Sequence, residues 1–98
     1  TKIDLSVVFG VPAGVKAVLV RAAARDSVAF GTNTSISFSI GPSTTYFYEL
    51  VIYPHGGDFI VGNTGIVPCD SNGDIAYRVV ASETGTMDVW LQIWGYWL

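Results

Sequence analysis

Charge is scarce in this chain. Only 13% of its 98 residues are Asp, Glu, Lys or Arg, against the usual ~25%. The five Lys and Arg stand singly and the net charge is -3. No basic stripe exists to meet a phosphate backbone, which argues against a nucleic-acid partner. The one cysteine, Cys69, excludes an intrachain disulfide. It sits in an apolar stretch and reads as a buried, inert thiol. The one histidine, His55, leaves a transition-metal site short of its usual ligands. No apolar run reaches the ~20 residues a membrane-spanning helix needs, so no membrane insertion is expected. The start, Thr1-Lys2-Ile3-Asp4, lacks the apolar region of a signal peptide. Thr1 is small enough to follow an excised initiator Met, so the chain reads as a complete small protein; a trimmed piece of a longer fibre is the alternative.

Half of the residues are hydrophobic, enough for the core of one domain spanning 1–98. So little charge covers a monomer poorly, and contacts between copies are the simple remedy.

Apolar periodicity follows two, not 3.6. Val15–Arg25 separates Val18, Val20, Ala22 and Ala24 from Arg21 and Arg25. Ser35–Ile40 alternates without a fault, with Ile36, Phe38 and Ile40 inward and the serines toward water. Further strands are predicted at Leu5–Phe9, Tyr46–Tyr53, Phe59–Gly62, Ile66–Cys69, Ile75–Ala81 and Met87–Leu98. In Ile75–Ala81, Ile75, Tyr77 and Val79 share a face. Between strands lie turn signals, of which Asn72-Gly73 is the strongest hairpin mark, because both residue types tolerate positive φ. The expected fold is all-β: an antiparallel β-sandwich or jelly roll of seven to eight short strands.

The last strand is unusual. Met87, Val89, Leu91 and Ile93 fall on one face; Trp90, Gln92, Trp94, Tyr96 and Leu98 fall on the other. A strand with one wet face alternates apolar with polar, and this one, holding all three Trp of the chain, is apolar on both. One face fills the core. The other, with Trp90, Trp94, Tyr96 and Leu98, reads as an interface with another copy or another partner, and the neighbouring Trp97 is counted among the interface candidates.

Signs of catalysis are weak. A triad at His55 would need a nucleophile beside it, and no Gly-x-Ser-x-Gly elbow occurs. Asp70-Ser71-Asn72-Gly73-Asp74 has oxygen ligands at alternate positions, as calcium loops do. Its Gly comes too early for an EF-hand, and a plain turn explains it without a metal. No catalytic residue, metal or cofactor is expected. Asn33-Thr34-Ser35 is a formal glycosylation sequon that nothing else in the chain supports. Tyr46, Tyr48, Tyr53, Trp90, Trp94, Tyr96 and Trp97 suggest a sugar-stacking platform, with His55 as a loop contact. The competing reading places these aromatics in the core or between subunits. Arg21, Arg25, Glu49 and Arg78 are expected to pair across strands or across a subunit boundary.

Three stretches resemble small β-domains of tailed-bacteriophage structural proteins. Asp4-Leu5-Ser6 with Val11-Pro12-Ala13-Gly14-Val15-Lys16-Ala17-Val18-Leu19-Val20-Arg21 resembles their opening. Ile66-Val67-Pro68-Cys69-Asp70-Ser71-Asn72-Gly73-Asp74-Ile75 resembles their middle hairpin, and Val89–Trp97 their closing strand. The stretch from about Asp26 to Gly65 has no counterpart. The resemblance implies a β-sandwich, often a trimer, on the exposed surface of a virus particle, and transfers no catalytic residue. The function expected is a non-enzymatic, homo-oligomeric virion protein that decorates or stabilises the outer capsid surface. The alternatives are a receptor-binding tip of a tail fibre or tailspike that recognises a cell-surface glycan during host attachment, and a free-standing carbohydrate-binding module.

Overall fold

The computed structural model describes residues 1–29, 36–82 and 85–98. The sequon Asn33-Thr34-Ser35 lies outside them, as do Glu83 and Thr84. Among the described residues, seven strands form two antiparallel sheets, as expected for a β-sandwich. They are β1 (Lys2–Ile3), β2 (Ala17–Asp26), β3 (Ser37–Gly41), β4 (Leu50–Ile52), β5 (Val61–Pro68), β6 (Ile75–Val80) and β7 (Met87–Trp97). One sheet has the order β1-β6-β3-β4, the other β5-β2-β7. The core lies between them. Val18, Val20, Ala22 and Ala24 of β2 face Phe38, Ile40, Leu50, Ile52 and Ile75 of the other sheet, all buried. Alternation at period two decides this, because successive strand residues point to opposite faces. Ile75, Tyr77 and Val79 share the inner face, since they pair with Ile3, Ile40 and Phe38.

Leu5–Phe9 departs from the strand expectation. It is α1, a single helical turn (Leu5–Phe9). Asp4 caps it, its carboxylate accepting from the Ser6 and Val7 amides at 3.1 and 3.2 Å. Gly10 ends it at φ 68°. An Asp before and a Gly after are ordinary helix punctuation, and they override the β-branched pair Val7-Val8. Tyr46–Tyr53 is also not one strand, since only Leu50–Ile52 pairs. Before it, Ser43 and Tyr46 close a small turn, each amide donating to the other's carbonyl at 3.2 Å. That segment passes over the outer face of the four-stranded sheet, where Phe47 packs on Arg78. It crowds Gly41, at which a Cβ would lie 2.3 Å from the Tyr46 carbonyl oxygen. Ser39, expected in water, is therefore 2% exposed. The separate strands expected at Phe59–Gly62 and Ile66–Cys69 are one continuous strand, β5, pairing with β2 from Val61 to Pro68.

The Asn72-Gly73 turn is not a hairpin. β5 and β6 belong to different sheets, and the turn carries the chain from one to the other. Gly73 alone has positive φ there, at 82°, while Asn72 does not. The Asp70 carboxylate accepts from the amides of Asn72 and Asp74 at 2.9 and 3.0 Å. Lys2 bridges Asp70 and Asp74 at 3.4 and 3.2 Å. A Cβ on Gly73 would sit 2.7 Å from the Gly14 backbone nitrogen, so the turn is packed against the loop before β2. Gly73→Ala should therefore destabilise by at least ~1–2 kcal/mol, the cost of left-handed φ alone, and lower the melting temperature by several degrees. Asn72→Ala should stay within ~0.5 kcal/mol, because it keeps the backbone amide that Asp70 holds. Thermal denaturation of the two variants checks the contrast.

Candidate aromatic–arginine interface

The outer face of the β5-β2-β7 sheet is uncovered. β2 is its central strand, and the residues of β2 that point away from the core are Ala17, Leu19, Arg21, Ala23 and Arg25. The partners of the first four on β5 are Pro68, Ile66, Thr64 and Gly62, and the pairing ends at Ala24 with Val61, one residue short of Arg25. On β7, Arg25 opposes Asp88, Ala23 opposes Trp90, and Arg21 opposes Gln92. These residues build a ladder across three strands. The Arg25 guanidinium lies 5.5 Å over the Trp90 ring and donates to the Asp88 carboxylate at 3.1 Å. The Arg21 guanidinium lies 5.9 Å over the Trp94 ring and donates to the Thr64 hydroxyl at 3.4 Å. The Trp94 indole N–H donates to the Gln92 side-chain oxygen at 3.2 Å. Cation–π contacts at exposed sites are worth ~0.5–1 kcal/mol, and the exposed Arg25–Asp88 pair less than ~1 kcal/mol. They fix the orientation of the indoles more than they stabilise the fold.

The face is nonetheless apolar and open. Trp94 is 61% exposed, and Ile66, Trp90, Trp97 and Leu98 are exposed as well. Of the expected interface residues, Trp90 and Trp94 lie on this face, but Tyr96 does not. A bulge in β7 shifts the register between Leu19 and Val20, so that Gly95 opposes Leu19, Ile93 opposes Val20 and Trp94 is the extra residue. Beyond it Tyr96 opposes the buried Val18, and Trp97 opposes Ala17. The bulge thus exchanges Tyr96 for Trp97 on the outer face, and strict period two fails there because an inserted residue reverses the pleat.

The structure also divides the expected sugar platform. Tyr46 and Tyr48 flank Phe47, which packs on Arg78 against the outer face of the other sheet. Tyr53 follows β4 and is exposed. Tyr46 and Tyr48 are therefore separated from the tryptophans, which stand on the other sheet. His55 is exposed in the turn after β4, where Asp58 has φ 58°, and no hydrogen bond or ion pair joins the two among the described residues. Glu49 lies just before β4, outside any strand. A depression of about 650 Å³ is lined by Thr1, Thr44, Phe47, Tyr77, Arg78 and Val79. Burial, with Asp70 and Asp74 nearby, pushes the Cys69 thiol up to about 11, so it is a poor nucleophile at neutral pH. No group of three or more His, Cys, Asp or Glu among the described residues is placed to hold a metal ion.

One polar residue escaped the sequence reading. Asp26, at the end of β2, is 0% exposed. Its carboxylate accepts from the Ser82 hydroxyl at 2.7 Å, the Val28 amide at 2.9 Å and the Ser82 amide at 3.1 Å. Burial pushes this carboxyl up, but the hydrogen bonds from Ser82 and Val28 outweigh it and hold the group below its ordinary value. The backbone carbonyls of Asp26 and Val28 receive the Asp58 and Gly57 amides at 3.0 and 2.6 Å. Asp26 thus ties the loop after β4 and the loop before β7 to the end of β2. In the sequence, Asp26-Ser27 looks like an ordinary strand end, and Ser82 is 56 residues away.

No protein-family model, curated protein or solved structure matches this chain.

Asp26→Ala should destabilise by roughly 1–3 kcal/mol, since it leaves buried donors without an acceptor. The pH dependence has a definite sign. A carboxyl lowered in the folded state contributes fully above its unfolded value, ~3.9. That contribution is lost as pH falls through the lower folded value, because the unfolded chain takes up the proton first. Asp26→Asn should therefore flatten the loss of stability as pH falls below about 4, read by urea denaturation across the acid range.

Proposed function

We propose that this chain is a non-catalytic assembly module: a homo-oligomeric structural protein of a phage virion, displayed on the particle's outer surface as a decorating or stabilising subunit. The observation that carries the reading is the uncovered outer face of the β5-β2-β7 sheet, with Trp90, Trp94, Trp97 and Ile66 exposed side by side. Monomers seldom leave so much contiguous apolar surface in water. Trp and Arg are the residues that dominate binding energy at interfaces, and here they alternate on one flat surface. The low charge of the chain supports the same reading, and the resemblance of three stretches to phage structural domains supplies the setting.

A glycan-binding tip is the second reading, favoured by the exposure of Trp94. The cation–π contacts weigh against it, because a guanidinium already lies over each of the Trp90 and Trp94 rings.

Light scattering across a dilution series tests the proposal. A mass that is a multiple of 10.5 kDa, falling on dilution, is expected. Trp94→Ala should weaken association about tenfold or more while leaving the melting temperature nearly unchanged. A monomer at every concentration would contradict assembly through contacts between copies and move the reading to glycan recognition. Equal loss of folding and association would contradict a role for Trp94 confined to the interface.

A further inference from the structure

The sandwich is closed along one side and open along the other. On the closed side β4 packs beside β5. On the open side β7 is an edge strand, with no strand of the described residues beyond it. A free edge presents unpaired N–H and C=O groups, and proteins guard such edges by short length, Lys, Pro or inward charge. The other edges carry such guards. β1 has two residues and β4 three, while β5 contains Gly62, Gly65 and Pro68. β7 is 11 residues long, contains no Lys or Pro, and has one charge, Asp88. Its bulge at Trp94 leaves Met87–Ile93 regular.

The core is also unfinished beneath this edge. A cleft of about 320 Å³ opens there, lined mainly by apolar side chains that include Val8, Phe9, Phe38, Tyr77, Val89 and Leu91. Val89 points to the inner face, opposite the buried Ala24, and is still 37% exposed. A second hollow of about 210 Å³ continues along the strand at Ile93 and Tyr96. An inner-face side chain left in water marks a place where a strand is missing.

We infer that β7 pairs antiparallel with β7 of a second copy of this chain, about a two-fold axis at Trp90. The inference deepens the assembly reading and rests on it; it assigns a two-fold contact where the phage resemblance implies a three-fold one. A two-fold interface must complement itself, and the regular stretch does. Pairing Met87–Ile93 with its own copy in full overlap centres on Trp90. Val89 then opposes Leu91, and Met87 opposes Ile93, so inner faces meet inner faces. Asp88 opposes Gln92 and never another Asp88, and it is already neutralised by its own Arg25 at 3.1 Å. The paired sheet runs β5-β2-β7-β7-β2-β5, and the two clefts meet under the new pair of strands.

The test uses the full chain in a one-to-one mixture of isotope-labelled and unlabelled protein. Filtered NMR should give intermolecular backbone contacts between Val89 of one copy and Leu91 of the other. Val89→Lys, which places a charge on the inner side of the edge, should weaken association about tenfold or more with the circular dichroism spectrum unchanged. An oligomer whose intermolecular contacts come only from the Trp94 and Ile66 face would overturn the edge pairing and leave the assembly reading standing. Unchanged association of folded Val89→Lys would overturn it likewise. A monomer at every concentration would overturn both.

Discussion

Strand β2 is paired on both sides along its length, and the rest of the structure depends on that. Its inner face is Val18, Val20, Ala22, Ala24 and Asp26, all buried. This sets the phase of the sheet, because a one-residue slip would turn every buried side chain outward. With the phase set, Arg21 and Arg25 must point out. The register of β7 then lays Trp90 opposite Ala23 and places Trp94 beside Arg21. The exposed aromatic face is a consequence of burying the other face of β2, not a separate feature.

The same strand organises the loops at its end. Asp26 is buried without a cationic partner, and it survives there because its lone pairs meet the Ser82 hydroxyl and two amides. An unsatisfied carboxylate in that position would be costly. The arrangement holds the chain where β7 begins, so β7 enters the sheet in register with β2. The two sheets are thus tied at one end by Asp26 and at the other by the Asp70 turn, which Lys2 straps down.

Much of this was legible in the sequence. The period-two alternation in Val18–Ala24 and in Ile36–Ile40 identified inner faces that are buried, and the doubly apolar β7 was visible at once. The departures share a cause: tertiary contacts override local signals. Asn72-Gly73 has the composition of a hairpin, but the Asp70 side chain takes the amides that a hairpin partner would have held. Leu5–Phe9 looks β-branched, but its caps at Asp4 and Gly10 are stronger. Tyr96 appeared to join the tryptophans, because a bulge leaves no mark in the pattern of residue types. Asp26 was invisible because its partner, Ser82, is distant in sequence.

The account centres on an aromatic face that is open in the protomer and covered on assembly. Acrylamide quenching of tryptophan emission, followed across protein concentration alongside mass, tests this most directly. Emission that is red-shifted and readily quenched in dilute solution, then blue-shifted and protected in step with rising mass, is the predicted result. Rising mass with no change in quenching would contradict the account, because copies would then meet through the β7 edge alone and leave the aromatic face uncovered.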